Sequence, residues 1–448
     1  MRHFTRGGIH PPESKITCRE AIRDMELPLK VYIPLGQHIG APATAIVAKG
    51  DEVVTGQLIA EASGFMSANI HSTITGKVTQ VAPMANGQGL SVPTIVIERK
   101  SDDAEVWADG VDLSAELVDK IDLEADEILA RIKAAGIVGM GGATFPTHVK
   151  LSIPPGKKAE VLIINGAECE PYLTSDHQSM LSRGGEFLMG CKVLLKQLGV
   201  AKCLIGIENN KRDAIDHLTK LAAGDQSLVV VPLKVGYPQG GEKQLIEAIT
   251  GREVPPPPGL PIDVGAVVVN VSTTLAIYDA VLKGRPLVDR VVTVSGKSVS
   301  TPINVRTRFG TPISSIIELA GGLPEDTGKV INGGPMMGRA MINLDSPVTK
   351  GCSGITILND NEAKRAAQSA CIKCGKCVSA CPMALEPYLL SRLMQSGAMD
   401  RLEEGFVTDC IECGSCQYSC PAQLPLLDYI RLGKQRVMGI IRARSMAK

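Results

Sequence analysis

The stretch CIKCGKCVSACP, residues 371–382, decides the fold of the C-terminal part of this chain. Four cysteines fall within twelve residues, and the same spacing recurs in CIECGSCQYSCP, residues 410–421. Both copies read C-x2-C-x2-C-x3-C-P. Closely spaced cysteines with a trailing proline, present twice, indicate two metal centres held by one compact module.

This spacing is the one with which bacterial two-cluster ferredoxins bind [4Fe–4S] clusters, the fourth cysteine of each run ligating the other cluster. Gly375 and Gly414 permit tight turns whose amides can point at sulfide. We therefore expect two clusters with crossed ligands. One set is Cys371, Cys374, Cys377 and Cys420, and the other is Cys410, Cys413, Cys416 and Cys381.

The alternative for the cysteine runs is a pair of zinc sites, because zinc ribbons hold one metal with two CxxC pairs. Four cysteines per run and the repeated proline favour iron–sulfur clusters. Between the runs, Leu389, Leu390, Leu393 and Met394 are spaced for one apolar helix face, and a second helix is predicted after Pro421. The module is therefore expected to be helical.

The composition excludes several classes of protein. A length of 448 residues predicts roughly two to four domains. The formal net charge is zero and aromatic residues make up 3%, which gives no reason to expect nucleic acid. The most apolar segment, residues 264–282, is interrupted by polar side chains, so no transmembrane segment is expected. Five cysteines outside the runs, an odd number, favour a reducing cytosolic setting over disulfides.

The N-terminal region has short β-branched strands between glycine turns over residues 40–80. This pattern resembles the barrel-sandwich fold of lipoyl and biotinyl carrier domains. In carriers a modified lysine occupies the hairpin tip, but the corresponding stretch here is GFMSANIHS, residues 64–72, without lysine. A swinging arm is therefore not expected, and the domain is predicted to serve packing or docking.

From about residue 115, strands alternate with helices, including an apolar helix over 180–200, which predicts a doubly wound parallel sheet. Ligands of such sheets bind beyond the carboxyl ends of the strands. Three polar or glycine-rich loops fall there: residues 136–150, 165–171 and 237–244. Each loop alone fits a solvated turn equally well, since none is a Walker or GxGxxG motif.

Together these loops resemble a known family. GMGGATFPTHVK, NGAECEP, YPQGGE and NVSTTLA occur in the order and spacing of the FMN- and NADH-binding subunit of respiratory complex I. With the lysine-free barrel in front and the two cysteine runs behind, the whole chain resembles the RnfC family of Rnf electron-transport complexes. In these families a small β-grasp-like (SLBB) domain joins flavin and clusters, and INGGPMMGRAM is predicted to be a structural turn within it.

The resemblance implies the residues of a nucleotide site. FMN contacts fall on Gly139, Gly141, Lys150, Asn165, Glu168, Tyr237, Gly240, Asn270 and Thr274. Glu170 and Glu242 match positions near the hydroxyls of the nicotinamide nucleotide, and Phe145 matches a position that stacks on its adenine. The chain departs from the pattern at Ala167 and Gly241, where acidic residues are usual, and at Ile153, which replaces an aromatic that helps to hold adenine.

The expected fold class is therefore multidomain α/β. Its domains are a barrel-sandwich domain (1–112), a doubly wound parallel α/β domain for FMN and NADH (113–286), a small β-grasp-like domain (287–358) and a helical ferredoxin domain with two [4Fe–4S] clusters (359–448). No catalytic side chain is assigned beyond the cofactors, because flavin itself converts a hydride into single electrons.

The implied function is that of an electron-entry or electron-exit subunit of an ion-translocating NADH:ferredoxin oxidoreductase. Its expected partners are the membrane subunits of an ion pump, an iron–sulfur partner subunit and, indirectly, ferredoxin. The expected location is peripheral, on the cytoplasmic face of the plasma membrane. Two alternatives stay open at this point: an NADH-dependent cobalamin reductase with the same cofactors, and a non-enzymatic iron–sulfur electron-transfer module.

Overall fold

The computed structural model describes residues 1–446. Residues 447 and 448, the end of the predicted terminal helix and of the predicted ferredoxin domain, lie outside the described residues. The strands are β1 (Ile22–Asp24), β2 (Lys30–Pro34), β3 (Thr44–Ala45), β4 (Glu52–Val53), β5 (Leu58–Glu61), β6 (Ile70–His71), β7 (Gly76–Ala85), β8 (Ser91–Glu98), β9 (Val161–Gly166), β10 (Cys203–Glu208), β11 (Leu228–Leu233), β12 (Ala266–Asn270), β13 (Asp289–Ser295), β14 (Ile303–Arg308), β15 (Thr327–Asn332), β16 (Arg339–Ala340) and β17 (Gly354–Asn359).

The helices connect these strands and form the C-terminal module. They are α1 (Ala125–Ala134), α2 (Thr147–Leu151), α3 (Ser175–Ser182), α4 (Gly184–Leu198), α5 (Arg212–Leu221), α6 (Glu242–Thr250), α7 (Val271–Lys283), α8 (Ile313–Leu319), α9 (Asp360–Ala363), α10 (Lys376–Ser379), α11 (Pro387–Gln395), α12 (Met399–Glu404), α13 (Ser415–Tyr418) and α14 (Leu426–Met446), with 3-10 turns at Pro261–Val264 and Val407–Asp409. None of the helices within residues 1–446 is both long and apolar enough to cross a membrane.

The N-terminal barrel consists of two antiparallel sheets, β2-β8-β7-β4 and β3-β5-β6. Their inward-facing β-branched side chains form a closed core, because successive residues of a strand point to opposite faces. Val31, Ile33, Ile59, Ile95 and Ile97 are fully buried in it. The first residues of the chain lie outside this barrel: β1 pairs in parallel with β14 of another sheet.

The central α/β domain contains a parallel sheet with the strand order β11-β10-β9-β12. Successive residues of its strands pack on opposite faces of the sheet. Leu162 and Ile164 pack with α4 and α7, whereas Ile163 packs with α6 on the other face. The sheet is therefore doubly wound. Strand order reverses between β9 and β12, and this switch point is where such sheets bind ligands.

Two further units complete the chain. The six-stranded mixed sheet β1-β14-β13-β17-β15-β16 carries α8. In the C-terminal unit, α11, α12 and α14 bury Leu390, Leu402 and Ile430. Each cysteine run contains a one-turn helix, α10 or α13, that begins after a glycine in the left-handed region, Gly375 (φ 73°) or Gly414 (φ 80°).

Candidate functional site

The switch point is occupied by two asparagines. Asn165 and Asn270 lie at the ends of β9 and β12 and are paired in the strand register. Asn270 is the N-cap of α7, and its Oδ1 accepts a hydrogen bond from the Thr273 amide (3.3 Å). Its Nδ2 donates to the Asp176 carboxylate (2.6 Å). Asn165 Nδ2 donates to the carbonyl of Gly240 (2.8 Å). The two asparagines thereby connect the sheet edge to the loops around it.

The glycine-rich loop folds back over the start of α7. Gly139 N donates to Phe145 O (2.8 Å), and Met140 N donates to Thr273 Oγ1 (2.8 Å). A Cβ atom on Gly141 would lie 2.8 Å from Asn270 Nδ2, so a side chain there would force Asn270 to shift. Gly142 and Ala143 are exposed. Residues 141–143 of the loop therefore present exposed backbone beside the switch point, which fits a cradle for a flavin phosphate or ring.

A predicted FMN ligand and a predicted nucleotide ligand meet at the same edge. Lys150 Nζ donates to Glu242 Oε1 (2.8 Å) and to the carbonyl of Val268 (3.1 Å). Gly240 packs against Cys169, its amide donating to the sulfur at 3.3 Å. The side chains of Lys150 and Glu242 are partly exposed, so they can exchange this ion pair for contacts with a ligand.

Two other predicted residues are engaged inside the α/β domain. The Glu168 carboxylate accepts the amides of Asp176 (2.8 Å) and His177 (3.1 Å) at the start of α3. Thr274 is fully buried and donates to the carbonyl of Asn270 (3.0 Å). Both residues shape the elements around the site, and their direct contact with FMN stays a prediction.

Glu170 and Tyr237 reach from the α/β domain to the neighbouring units. Glu170 accepts the amides of Met336 (3.1 Å) and Met337 (2.7 Å), and burial raises the pKa of its carboxyl to about 7. These amides belong to the turn INGGPMMGRAM of the six-stranded unit. The buried Tyr237 hydroxyl donates to the carbonyl of Cys413 (2.8 Å). The edge of the parallel sheet at which ligands are predicted to bind therefore contacts the second cysteine run directly.

Sequence reasoning did not find the lysines that hold the 165–171 loop. Lys15 Nζ donates to the carbonyls of Glu168 (2.6 Å), Glu170 (2.9 Å) and Leu173 (2.7 Å), and burial lowers its pKa. Lys211 Nζ donates to Ala167 O (2.6 Å). Lys15 is distant from the loop along the chain, so no local pattern could have connected the two.

The two predicted cysteine sets differ in burial. Cys381, Cys410, Cys413 and Cys416, which we call the inner site, line one cavity with an apolar wall that includes Leu385, Leu390, Leu427 and Ile430. Burial raises the pKa of the Cys416 thiol, and the neighbouring Cys410, Cys413 and Cys381 raise it further. Within residues 1–446 no group of three or more His, Cys, Asp or Glu side chains is already arranged to hold an ion. Four cysteines that line one apolar cavity nevertheless match the number and type of ligands of a [4Fe–4S] cluster, whose bound thiols are deprotonated.

The remaining set, which we call the outer site, consists of Cys371, Cys374, Cys377 and Cys420. Cys371 and Cys374 are exposed. Burial raises the pKa of the Cys377 thiol, and the neighbouring Cys420 raises it further. The first cysteine run also contacts the N-terminal segment, where Gly8 N donates to Ala380 O (3.0 Å). One predicted cluster site thus lies against the α/β domain, and the exposed cysteines of the other lie at the surface.

A switch-point loop suited to flavin, joined to a module with two four-cysteine runs, indicates a flavin- and iron–sulfur-dependent electron-transfer protein. Family models match each unit. They are the RnfC barrel sandwich hybrid domain (residues 3–102), the Nuo51 FMN-binding domain (132–279), the SLBB domain (291–340) and the 4Fe-4S dicluster domain (370–425).

The chain belongs to the RnfC family of Rnf-type ion-translocating oxidoreductase complexes. It is 48% identical to the RnfC-type subunit of the proton-translocating ferredoxin:NAD(+) oxidoreductase complex of Clostridium ljungdahlii, over 95% of this chain and 92% of that protein. It is 46% identical to the counterpart in the Na(+)-translocating complex of Acetobacterium woodii, over 98% of each chain. It is 43% identical to the counterpart in the ion-translocating oxidoreductase complex of Rhodobacter capsulatus, over 96% of this chain and 83% of that protein.

The predicted family, fold class and cofactor complement, FMN and two [4Fe–4S] clusters, are confirmed by these matches. The exact domain boundaries and the individual ligand residues stay predictions.

Proposed function

We propose that this chain is the NADH-linked electron-transfer subunit of a membrane-bound, ion-translocating ferredoxin:NAD oxidoreductase. The hydrogen bond from Tyr237 to Cys413 carries the proposal, because it joins the flavin edge of the sheet to the inner site. Bound FMN supplies the conversion between a two-electron hydride and single electrons, and the clusters carry single electrons. The names of the relatives from Clostridium and Acetobacterium support the same reaction.

The residues of the switch point bind and orient the nucleotides. The exposed backbone amides of residues 141–143 and the cation of Lys150 would hold the flavin phosphate, and Asn165 and Asn270 fix the loops on which it would rest. Glu242, freed from Lys150, accepts hydroxyl hydrogens of the nicotinamide nucleotide. No side chain is needed as an acid or base, so positioning is the main contribution of the protein.

The outer site is proposed to face the redox partner. Its exposed cysteines lie among the exposed side chains of Ile372, Lys373 and Lys376, an apolar residue flanked by positive charge. Complementary charge speeds the encounter of redox proteins. We propose that the partner is an iron–sulfur subunit with an acidic face, attached to membrane subunits of an ion pump and exchanging electrons with ferredoxin. On this proposal the chain is peripheral, on the cytoplasmic face of the plasma membrane.

An anaerobic reduction experiment tests the proposed function. The full chain, reconstituted with FMN, iron and sulfide, is mixed with NADH, and the flavin and cluster absorption bands are recorded. We expect both bands to bleach, and dithionite to bleach them to a similar extent. If dithionite reduces both cofactors while NADH leaves both oxidised, the proposed NADH-linked function is wrong.

A further inference from the structure

The tip of the barrel domain, residues 63–69, is fixed against the start of the glycine-rich loop. Asn69 Nδ2 donates to the carbonyl of Ala134 (3.2 Å). Lys350 Nζ donates to the carbonyls of Asn69 (2.8 Å) and Gly136 (2.7 Å). These bonds hold the barrel tip in a defined position relative to the α/β domain, so a side chain on it can contribute to a site there.

A neighbouring barrel loop reinforces this arrangement. Ile39 N lies 3.4 Å from Thr144 O in the glycine-rich loop, and Ala41 N donates to Met66 O (3.0 Å) within the tip. Gly40 between them has φ +107° and approaches Met66 so closely that no Cβ fits. The two barrel loops and the glycine-rich loop therefore form one packed surface.

Phe65 lies on this surface and is 68% exposed. Its ring centroid is 6.5 Å from that of His148, edge to face at 86°. His148 is buried, and burial lowers its pKa, which favours an uncharged ring. His148 lies in α2, directly after the glycine-rich loop that contains Phe145, a predicted nucleotide ligand. Phe65 is therefore an exposed aromatic ring on a fixed support beside that loop.

We propose that Phe65 stacks on the adenine ring of the nicotinamide dinucleotide, and that the barrel domain thereby completes the nucleotide site. This rests on the proposed NADH-linked function. Ile153, which stands where the family pattern has an aromatic residue, packs against the core of the α/β domain and offers no ring. Every purine has a π-face that an aromatic side chain can cover, and removing one such contact weakens binding by about tenfold.

Substrate truncation tests the proposal in the reconstituted full chain. NADH oxidation is measured with ferricyanide as acceptor for wild type, Phe65→Ala and Phe65→Trp, and repeated with reduced nicotinamide mononucleotide, which lacks the adenylate. For Phe65→Ala we expect KM for NADH to rise about tenfold with kcat unchanged, and KM for the mononucleotide to stay as in wild type. Phe65→Trp should restore KM for NADH, since it restores the ring.

Phe406→Ala is the matched control, because Phe406 is similarly exposed (63%) but lies in the C-terminal module. It should leave both KM values unchanged. The proposal is overturned if Phe65→Ala oxidises NADH with the wild-type KM, or if its KM rises equally for the mononucleotide, which would indicate a general distortion. If wild type itself fails to oxidise NADH, the proposed function falls and this inference falls with it.

Discussion

At the scale of single residues, Gly141 shows how tightly the flavin loop is packed. A Cβ atom there would lie 2.8 Å from Asn270 Nδ2 and 3.0 Å from its Cγ. Asn270 has little freedom to move, since it donates to Asp176 and caps α7. Overfilling a packed position of this kind usually costs about 1–3 kcal/mol.

Gly141→Ala is therefore expected to lower the stability of the chain by about 1–3 kcal/mol and to weaken FMN binding, because Asn270 must shift. Gly185→Ala is the control, as its Cβ would lie 3.5 Å from Leu117 Cδ2, an ordinary contact, at a position with no predicted FMN contact. Quenching of flavin fluorescence during titration gives both dissociation constants. Equal FMN affinity in the two variants would show that the approach of Gly141 to Asn270 is unimportant.

The same scale shows what the sequence could and could not predict. Asn165 and Asn270 can be recognised because each directly follows an apolar strand, and ends of parallel strands meet at one edge. The partners of Glu170 and Tyr237 cannot, because Met336 and Cys413 are distant from them along the chain. Contacts at such separation leave no periodic or local signal, so the resemblance alone could only place these two side chains near nucleotides.

At the scale of elements, local patterns predicted most strands and helices. The segment after residue 264 has an apolar strand followed by an N-cap asparagine and a helix, and the structure has β12 and α7 there. The single helix expected over residues 180–200 is instead the end of α3 followed by α4. The backbone leaves the helical region at Arg183 (φ −129°, ψ 35°). A Cβ on Gly184, which begins α4, would lie 2.6 Å from His217 Nε2, so α4 approaches α5 closely there.

The crossing of the two cysteine runs gives a prediction at this scale. Cys381 belongs to the first run but lines the inner cavity with Cys410, Cys413 and Cys416. Cys381→Ser is therefore expected to remove the inner cluster and to halve the iron content. Adding Cys410→Ser should remove no further iron, whereas adding Cys371→Ser should remove nearly all of it. Non-additive effects within one site and additive effects between sites are the expected signature of shared ligands.

Iron analysis and low-temperature electron paramagnetic resonance of anaerobically reconstituted protein measure these outcomes. Cys352→Ser is a suitable control, since Cys352 is buried in the core shared by the α/β domain and the six-stranded unit. It should retain the wild-type iron content. Half the iron remaining in the Cys381→Ser, Cys371→Ser double variant would contradict crossed ligands, because it would assign both cysteines to one cluster.

At the scale of the whole molecule, Lys350 joins three units. It lies just before β17 of the six-stranded sheet, its Nζ donates to Asn69 of the barrel and Gly136 of the α/β domain, and its amide donates to Gln37 (3.0 Å). The side chain is 1% exposed, and burial lowers its pKa from 10.5 to about 7. The junction on which the barrel tip depends therefore contains a lysine that loses its charge near neutral pH.

This depressed pKa has a definite consequence for stability. Between pH 7 and pH 10.5 the unfolded chain carries a proton on Lys350 that the folded chain has lost. Raising the pH through this interval therefore favours the folded state, by up to about 1.4 kcal/mol per pH unit. Lys350→Met removes this contribution and both hydrogen bonds. The difference in melting temperature, wild type minus variant, should accordingly become more positive from pH 7 to pH 9.

Comparing the two proteins at each pH cancels the other titrating groups, which they share. Lys350→Gln refines the experiment, since it keeps an amide donor at the junction but does not titrate. Lys350→Gln should be more stable than Lys350→Met at every pH. Its stability relative to wild type should nevertheless decrease with rising pH at the same rate as that of Lys350→Met. Scanning calorimetry of the reconstituted chain at pH 7, 8 and 9 provides these differences. A difference that is constant with pH would mean that Lys350 keeps its proton at the junction, and its role would then be that of a buried cation held by carbonyl groups.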